Sequence, residues 1–371
     1  MALLEALIEH KWPLLASVVT LYALHSILSY RRLRQFGGPW GVGFSEIPHD
    51  IQTYRGNGHD WYRKANDKYG PIARVGPNSL ITSSADVWIH VNTKPGYKRS
   101  ERYFKAARLE YQRDNVFSQT NTKLHDERRK QLAPGYSGRD NPVLEQTINT
   151  QILALLTLIR THHHHLPPPT HDHHTRLRTF PPLSRPLDLS KTIQYLTLDI
   201  ISALLFTRPF GLLRANADAG GNTFMALHLS WLAQAPIIGK DVPEKGDVVV
   251  VEGREVFMPG GATIGYSAVA MHRDKKVYGE DADLFRPERW FEPDEGKLAA
   301  MLKVNELTFG HGRWQCLGKN VAQMELNKTV FELFRHFDWA IAYPAKPWDI
   351  FNAFGLFLIS DMWVQVTARG V

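Results

Sequence analysis

A single cysteine, Cys316, in 371 residues removes every fold that relies on a covalent or thiolate-cluster staple. No intramolecular disulfide can form, and neither a Cys-cluster zinc site nor a Cys-ligated iron–sulfur cluster can be assembled. Stability must therefore come from apolar burial. With 43% hydrophobic residues the chain can build a sizeable core, as one large domain or two to three small ones. The same composition excludes a wholly disordered or collagen-like protein. Lys and Arg number 44 against 37 acidic residues, and the resulting +7 suits a cytosolic or membrane-surface protein. Without a Lys/Arg stripe it gives no sign of a nucleic-acid partner.

Residues 12–30 contain no Lys, Arg, Asp or Glu and are long enough to cross a bilayer as a helix. Glu5 and Glu9 precede the run, and Arg31, Arg32 and Arg34 follow it. That is the flank of a stop-transfer anchor rather than of a cleaved signal peptide. The reading is a lumenal stub over 1–11, a single-pass anchor over 12–30 and a cytosolic domain over 31–371. A buried helix is the alternative, because Thr20, His25 and Ser26 dilute the run.

Further on, residues 68–82 alternate short β-prone runs with Gly-Pro and Pro-Asn punctuation and predict a hairpin. Apolar residues at helical spacing predict helices over 141–160 and 188–205, the second capped by Asp188. Between them, 161–186 is a His/Pro-rich segment that reads as a loop. Its imidazoles suit zinc or nickel, but consecutive His in a Pro-flanked loop lack preorganised geometry. Residues 248–264 read as two strands around a turn at Glu252-Gly253, and 321–337 as an amphipathic helix.

The most informative segment is Phe309-Gly-His-Gly-Arg-Trp-Gln-Cys-Leu-Gly-Lys319. Gly310, Gly312 and Gly318 remove side chains where a flat ligand must approach the backbone. A helix beginning just after Cys316 would favour an anionic sulfur there. One sulfur ligand with room for a large planar partner points to haem iron.

This segment resembles the haem-binding loop of the cytochromes P-450, and more narrowly that of the fungal, membrane-anchored pisatin demethylase-like group. Residues 271–290, ending in Arg286-Pro-Glu-Arg-Trp290, are similar to the family's Pro-Glu-Arg-Phe/Trp region. Residues 125–137 resemble its C helix, and 97–118 its substrate-covering region. The resemblance implies a mainly α fold with small β-sheets. It also implies haem (iron protoporphyrin IX) with Cys316 as axial ligand and Phe309 shielding the sulfur. His125 and Arg129 would hold a propionate in place of the family's Trp-x-x-x-Arg pair. The residue two before the cysteine is commonly Arg in the family and is Trp314 here, which leaves Arg313 to reach a propionate from a shifted position. A hydrophobic small molecule and O2 would be the substrates. Electrons would come from NADPH through NADPH-cytochrome P-450 reductase at the endoplasmic reticulum membrane. Tyr97 to Val116 and Phe354 to Phe357 are the expected substrate-contacting stretches.

Two parts of the family pattern are not found: the oxygen-binding I helix and the Glu-x-x-Arg K helix. Ala219-Gly-Gly-Asn-Thr223 replaces the acid of the first with Asn, and Glu110-Tyr-Gln-Arg113 has the second spacing far upstream. Arg289 is then expected to lack its usual partner, and an internal deletion falls near 230–242. Two competing readings are a non-catalytic haem-binding relic or unstable splice or gene-model product, and a His-rich metal-binding membrane protein.

Overall fold

The computed structural model describes residues 10–101, 104, 108, 112–137, 141–162, 164–165, 185–217, 239–353 and 356–369. The chain divides into two compact units. The first comprises residues 1–125, 233–315 and 352–355; the second comprises 126–232, 316–351 and 356–371.

The first unit is built on a five-stranded sheet, in the order Ile72–Gly76, Ser79–Thr82, Thr263–Tyr266, Gly239–Asp241, Lys98–Arg99. The predicted hairpin is its first pair, antiparallel with Ala73 opposite Ile81. Ser79–Thr82 then runs parallel to Thr263–Tyr266, and the two remaining pairings are antiparallel. Every residue of the first two strands is buried, so the sheet is covered on both faces and the apolar run needs no alternation. Helix Ala85–Thr93 follows at once, with the Ser84 hydroxyl accepting from the Val87 N–H as its cap. Strands Asp247–Val251 and Arg254–Met258 form a separate hairpin. Its first strand alternates strictly, with Val248 and Val250 outside and Val249 and Val251 inside. The turn sits at Glu252 and Gly253, both at positive φ (50° and 78°), as a two-residue hairpin loop requires.

Asp247 opens that strand from a buried position. It accepts hydrogen bonds from His90 Nε2 (2.8 Å) and Tyr97 Oη (2.7 Å) and pairs with Lys94. The carboxylate thus ties the hairpin to helix Ala85–Thr93 and to the segment just before strand Lys98–Arg99. Tyr97 is spent on this bond, which corrects its expected place among substrate contacts.

The second unit packs helices Leu144–His162, Leu189–Phe206 and Lys319–His336 around one core. Ile148, Ile152, Leu155, Leu156 and Ile159 form the buried stripe of the first, at the spacing of one helical face. Tyr195, Leu196 and Ile200 face it from the second. Asp188 caps that second helix by accepting from the Lys191 N–H. From the interior of that helix buried Asp199 accepts the N–H groups of Gly211, Leu212 and Leu213, fixing the chain that follows the helix. Leu189–Phe206 is long and apolar enough to cross a membrane, yet it contributes three buried residues to this core. Strand Phe337–Ile341 pairs antiparallel with Trp363–Ala368. His164–His165 adds a short parallel strand to the same sheet, so two residues of the expected His/Pro loop are paired backbone. Residues 166–184 of that loop lie outside the described residues.

Burial pushes the Asp247 carboxyl up, but hydrogen bonds from Lys94, His90 and Tyr97 outweigh it and hold the group down to about 2. A depressed carboxylate stabilises the fold above the ordinary value of 3.8, and that stability is lost as pH falls through about 2. Asp247→Asn is expected to lower the unfolding midpoint at neutral pH and to flatten this acid limb, measured by denaturant unfolding at a series of pH values.

Candidate functional site

The glycine-rich loop starts where helix Glu295–Glu306 tightens into a short turn over Leu307–Phe309. Gly310 follows at φ +76°, and a Cβ there would lie 3.1 Å from the Trp314 carbonyl oxygen. Gly312 sits at φ +61° and opens a second turn, closed by the Gln315 N–H donating to the Gly312 carbonyl (3.0 Å). Both positions demand glycine on backbone grounds. Phe309 is half-buried and Arg313 exposed.

The boundary between the two units falls between Gln315 and Cys316. In the second unit Cys316 is exposed, and Gly318 caps helix Lys319–His336. A Cβ on Gly318 would make ordinary contacts of 3.9 Å with Cys316 Sγ and the Tyr136 ring, so glycine is not forced there. The cap position belongs to Gly318, two residues beyond the cysteine.

Trp314, the residue that departs from the family pattern, is the centre of a cationic cluster in the first unit. The His125 ring, itself buried, packs against it at 4.4 Å between centroids. The Arg99 guanidinium lies 4.6 Å from the Trp314 ring centroid, and Lys240 Nζ lies over the ring at 3.4 Å. Arg99 also donates to the Val116 and Phe117 carbonyls (both 2.7 Å). Arg99 and Lys240 are direct cross-strand partners, so the sheet places two cations opposite each other. Like charges in that register are destabilising. Lys240 is only 3% exposed, and its Nζ has no hydrogen-bond partner among the described residues. Burial first, then Arg99 and Arg313, push its ammonium down to about 5.

A buried amine without a partner, flanked by two guanidinium groups and an indole, fits a carboxylate. A haem carries two of them on one edge. Arg99, Lys240 and Arg313 are the residues that could hold such carboxylates, and the indole offers a flat apolar face. Sequence reasoning named Arg313 and His125 but missed Arg99 and Lys240. No local pattern marks either; only the pairing of Lys98–Arg99 with Gly239–Asp241 brings them together. Arg129 lies one turn after His125 on helix Thr122–Tyr136, half-buried and in the second unit.

Arg289, expected to lack its partner, is satisfied. It donates to the carbonyls of Tyr278 (2.7 Å), Asp281 (3.0 Å) and Leu284 (3.1 Å), and the Asp281 carboxylate lies 3.5 Å from it. Ala219 to Thr223 and the junction near 230–238 lie outside the described residues, as do Glu110 and Phe354. Among the described residues no group of three His, Cys, Asp or Glu side chains is placed to hold a metal ion.

Residues 244–363 match the model of the cytochrome P450 family. The chain is 25% identical to cytochrome P450 monooxygenase ABA1 of Pyricularia oryzae, in an alignment covering 98% of both chains. It is 24% identical to cytochrome P450 monooxygenase aba1 of Botryotinia fuckeliana, over 85% of this chain and 88% of that one. Cytochrome P450 monooxygenase gsfF of Penicillium aethiopicum is 37% identical over a shorter stretch, 37% of this chain and 26% of its own. The ABA1 alignment runs over 520 positions against 371 residues here, so that relative carries well over a hundred residues with no counterpart in this chain.

Between about pH 5 and 10.5 the unfolded chain holds a proton at Lys240 that the folded, haem-free chain lacks. Folded stability therefore rises with pH through that window. Lys240→Met is expected to remove this slope and raise haem-free stability at neutral pH. It should also weaken haem retention about tenfold, the worth of one charge-assisted hydrogen bond. Thermal unfolding across pH and haem transfer to apomyoglobin check the two halves.

Proposed function

We propose that the chain is a member of the cytochrome P450 family and a haem-thiolate monooxygenase with Cys316 as the axial ligand, a reading supported by the family-model match over 244–363 and the two long alignments. The observation that carries this reading is the cluster of Arg99, Lys240 and Trp314. It gathers two cations, one of them a buried amine with no hydrogen-bond partner among the described residues, on the ring of Trp314. When bound, the haem supplies the iron that activates dioxygen, so that one oxygen atom enters a hydrophobic small molecule.

The roles of this chain's own residues follow from charge and placement. Cys316 supplies the thiolate, and Phe309 covers the loop beside it. Arg99, Lys240 and Arg313 hold propionate oxygens, with His125 packing behind Trp314 and Arg129 adding a cation one turn on. Gly310 and Gly312 give the loop a tight backbone path that a planar ligand can approach. Electrons come from NADPH through a reductase, and the setting is fungal secondary metabolism at the endoplasmic reticulum. Helix Lys11–Arg32 supports the anchor: Trp12, Leu15, Val19, Leu21, Leu24 and Leu28 are all exposed on it, and Arg31 and Arg32 end it.

A second reading, a haem-binding chain that does not turn over, is favoured by helix Lys319–His336. Val321, Thr329 and Leu333 are buried, while Leu326, Val330, Phe331 and Phe334 are exposed around much of the rest of the helix. A helix apolar that far round is built to be covered there as well. The missing length relative to ABA1 and the junction near 230–242 agree with a lost segment that covered it. A transcript encoding an additional segment across 225–245 would restore the ordinary enzyme.

The reduced, carbon monoxide-bound chain is expected to show a thiolate-type Soret band, and Cys316→Ala to abolish it. Turnover with a reductase then supports the monooxygenase, and bound haem without turnover supports the second reading. Purified chain that retains no haem overturns both.

A further inference from the structure

Helices Leu144–His162 and Lys319–His336 are tied side by side at two levels in the second unit. At one, Lys328 Nζ donates to Glu145 Oε1 (2.7 Å) and Asn149 Oδ1 (3.0 Å); at the other, Arg160 donates to His336 Nδ1 (2.9 Å). Between these ties runs a groove of about 740 Å³. From Lys328 to Arg335 it follows two turns of helix, about 10 Å. Its floor is apolar, with Ile152 and Leu156 3% and 1% exposed. Its walls are apolar too: Leu153 from the first helix and Phe331 from the second, 62% and 63% exposed. Leu326, Val330 and Phe334, the other large exposed apolar residues of the second helix, do not line it.

The charges on the rim are unequal. Glu145 is taken by Lys328, and Glu332 Oε2 lies 3.2 Å from His336 Nε2. Because Arg160 donates to Nδ1 of that ring, the ring proton sits on Nε2 and faces Glu332. Arg335 is left over. It is exposed, and its nearest partner among the described residues, Glu332 Oε1, is 3.5 Å away, at the outer limit of a hydrogen bond. Arg335 follows Phe331 by one turn, so the guanidinium and the apolar wall share a face.

We propose that this groove binds a medium-chain fatty acid, its carboxylate on Arg335 and its chain laid along Phe331, Leu153 and Leu156. A cavity of this volume, apolar along its length with one placed charge, has the make-up of a small-molecule site. The planar guanidinium matches a carboxylate through two parallel hydrogen bonds. The polarity of the groove follows from which cation is engaged. Lys328 is pinned by Glu145 and Asn149 and closes the far end with its aliphatic stem, which limits the chain length. A neutral hydrocarbon would leave Arg335 unused, and a cationic amphiphile would meet Arg160, Lys328 and Arg335 against two carboxylates that are already engaged. None of these residues is among those assigned to the haem, so the proposal stands apart from the monooxygenase reading.

The test uses the purified full chain in phosphatidylcholine nanodiscs with a decanoate analogue that carries a diazirine at its tail. Adducts are mapped by mass spectrometry after photolysis. They are expected on 149–156 and 327–331, displaced by decanoate and roughly tenfold less well by decanol, the worth of one charge-assisted hydrogen bond. Arg335→Gln should weaken labelling by a similar factor and Arg335→Lys should recover part of it. Leu153→Asp, at an exposed position, should abolish labelling while the thermal unfolding midpoint stays near that of the parent chain. Adducts confined to other segments overturn the proposal, as does displacement by decanol equal to that by decanoate. Unchanged labelling in folded Arg335→Gln overturns it too, whatever the fate of the Leu153 variant.

Discussion

The pairing of strand Lys98–Arg99 with strand Gly239–Asp241 is the constraint on which the candidate site depends. It sets Arg99 directly opposite Lys240, and both cations against Trp314. Nothing in the described residues neutralises Lys240, and the cost shows in an ammonium pushed down to about 5. A fold keeps such a pair where an anion repays it. The same geometry explains why a Trp can stand two residues before Cys316 where the family commonly has Arg: the indole receives cations delivered by the sheet instead of supplying one itself.

Local features of the fold were legible in the sequence because local chemistry fixes them. The 72–82 hairpin, the Asp188 cap, the Glu252-Gly253 turn and the two-glycine path through 310–312 each follow from turn, cap or φ requirements within a few residues. The cation cluster was not legible. Arg99 and Lys240 are ordinary basic residues in ordinary surroundings until a non-local strand pairing joins them. Arg289 is a parallel case: the absence of a Glu-x-x-Arg motif suggests an orphaned guanidinium, yet three backbone carbonyls of the chain just before it and the Asp281 carboxylate satisfy it. Sequence motifs name partners by residue type and overlook carbonyls, which every residue carries.

The proposed internal deletion bears on one helix in particular. Helix Lys319–His336 buries Val321, Thr329 and Leu333 and leaves four large apolar residues, Leu326, Val330, Phe331 and Phe334, exposed. The longer ABA1 alignment has the residues to cover such a face. The haem-binding donors and the second apolar face thus support different conclusions: the first argues for cofactor binding, and the second bears on whether the full catalytic enclosure exists.

The central claim is that iron is held by the sulfur of Cys316. Because the chain has one cysteine, growth on 34S-cysteine labels one possible ligand atom and no other. Resonance Raman of the ferric protein should then show an iron–sulfur stretch that moves to lower frequency in the labelled sample. Bound haem whose spectrum is unchanged by the isotope would contradict the assignment of Cys316.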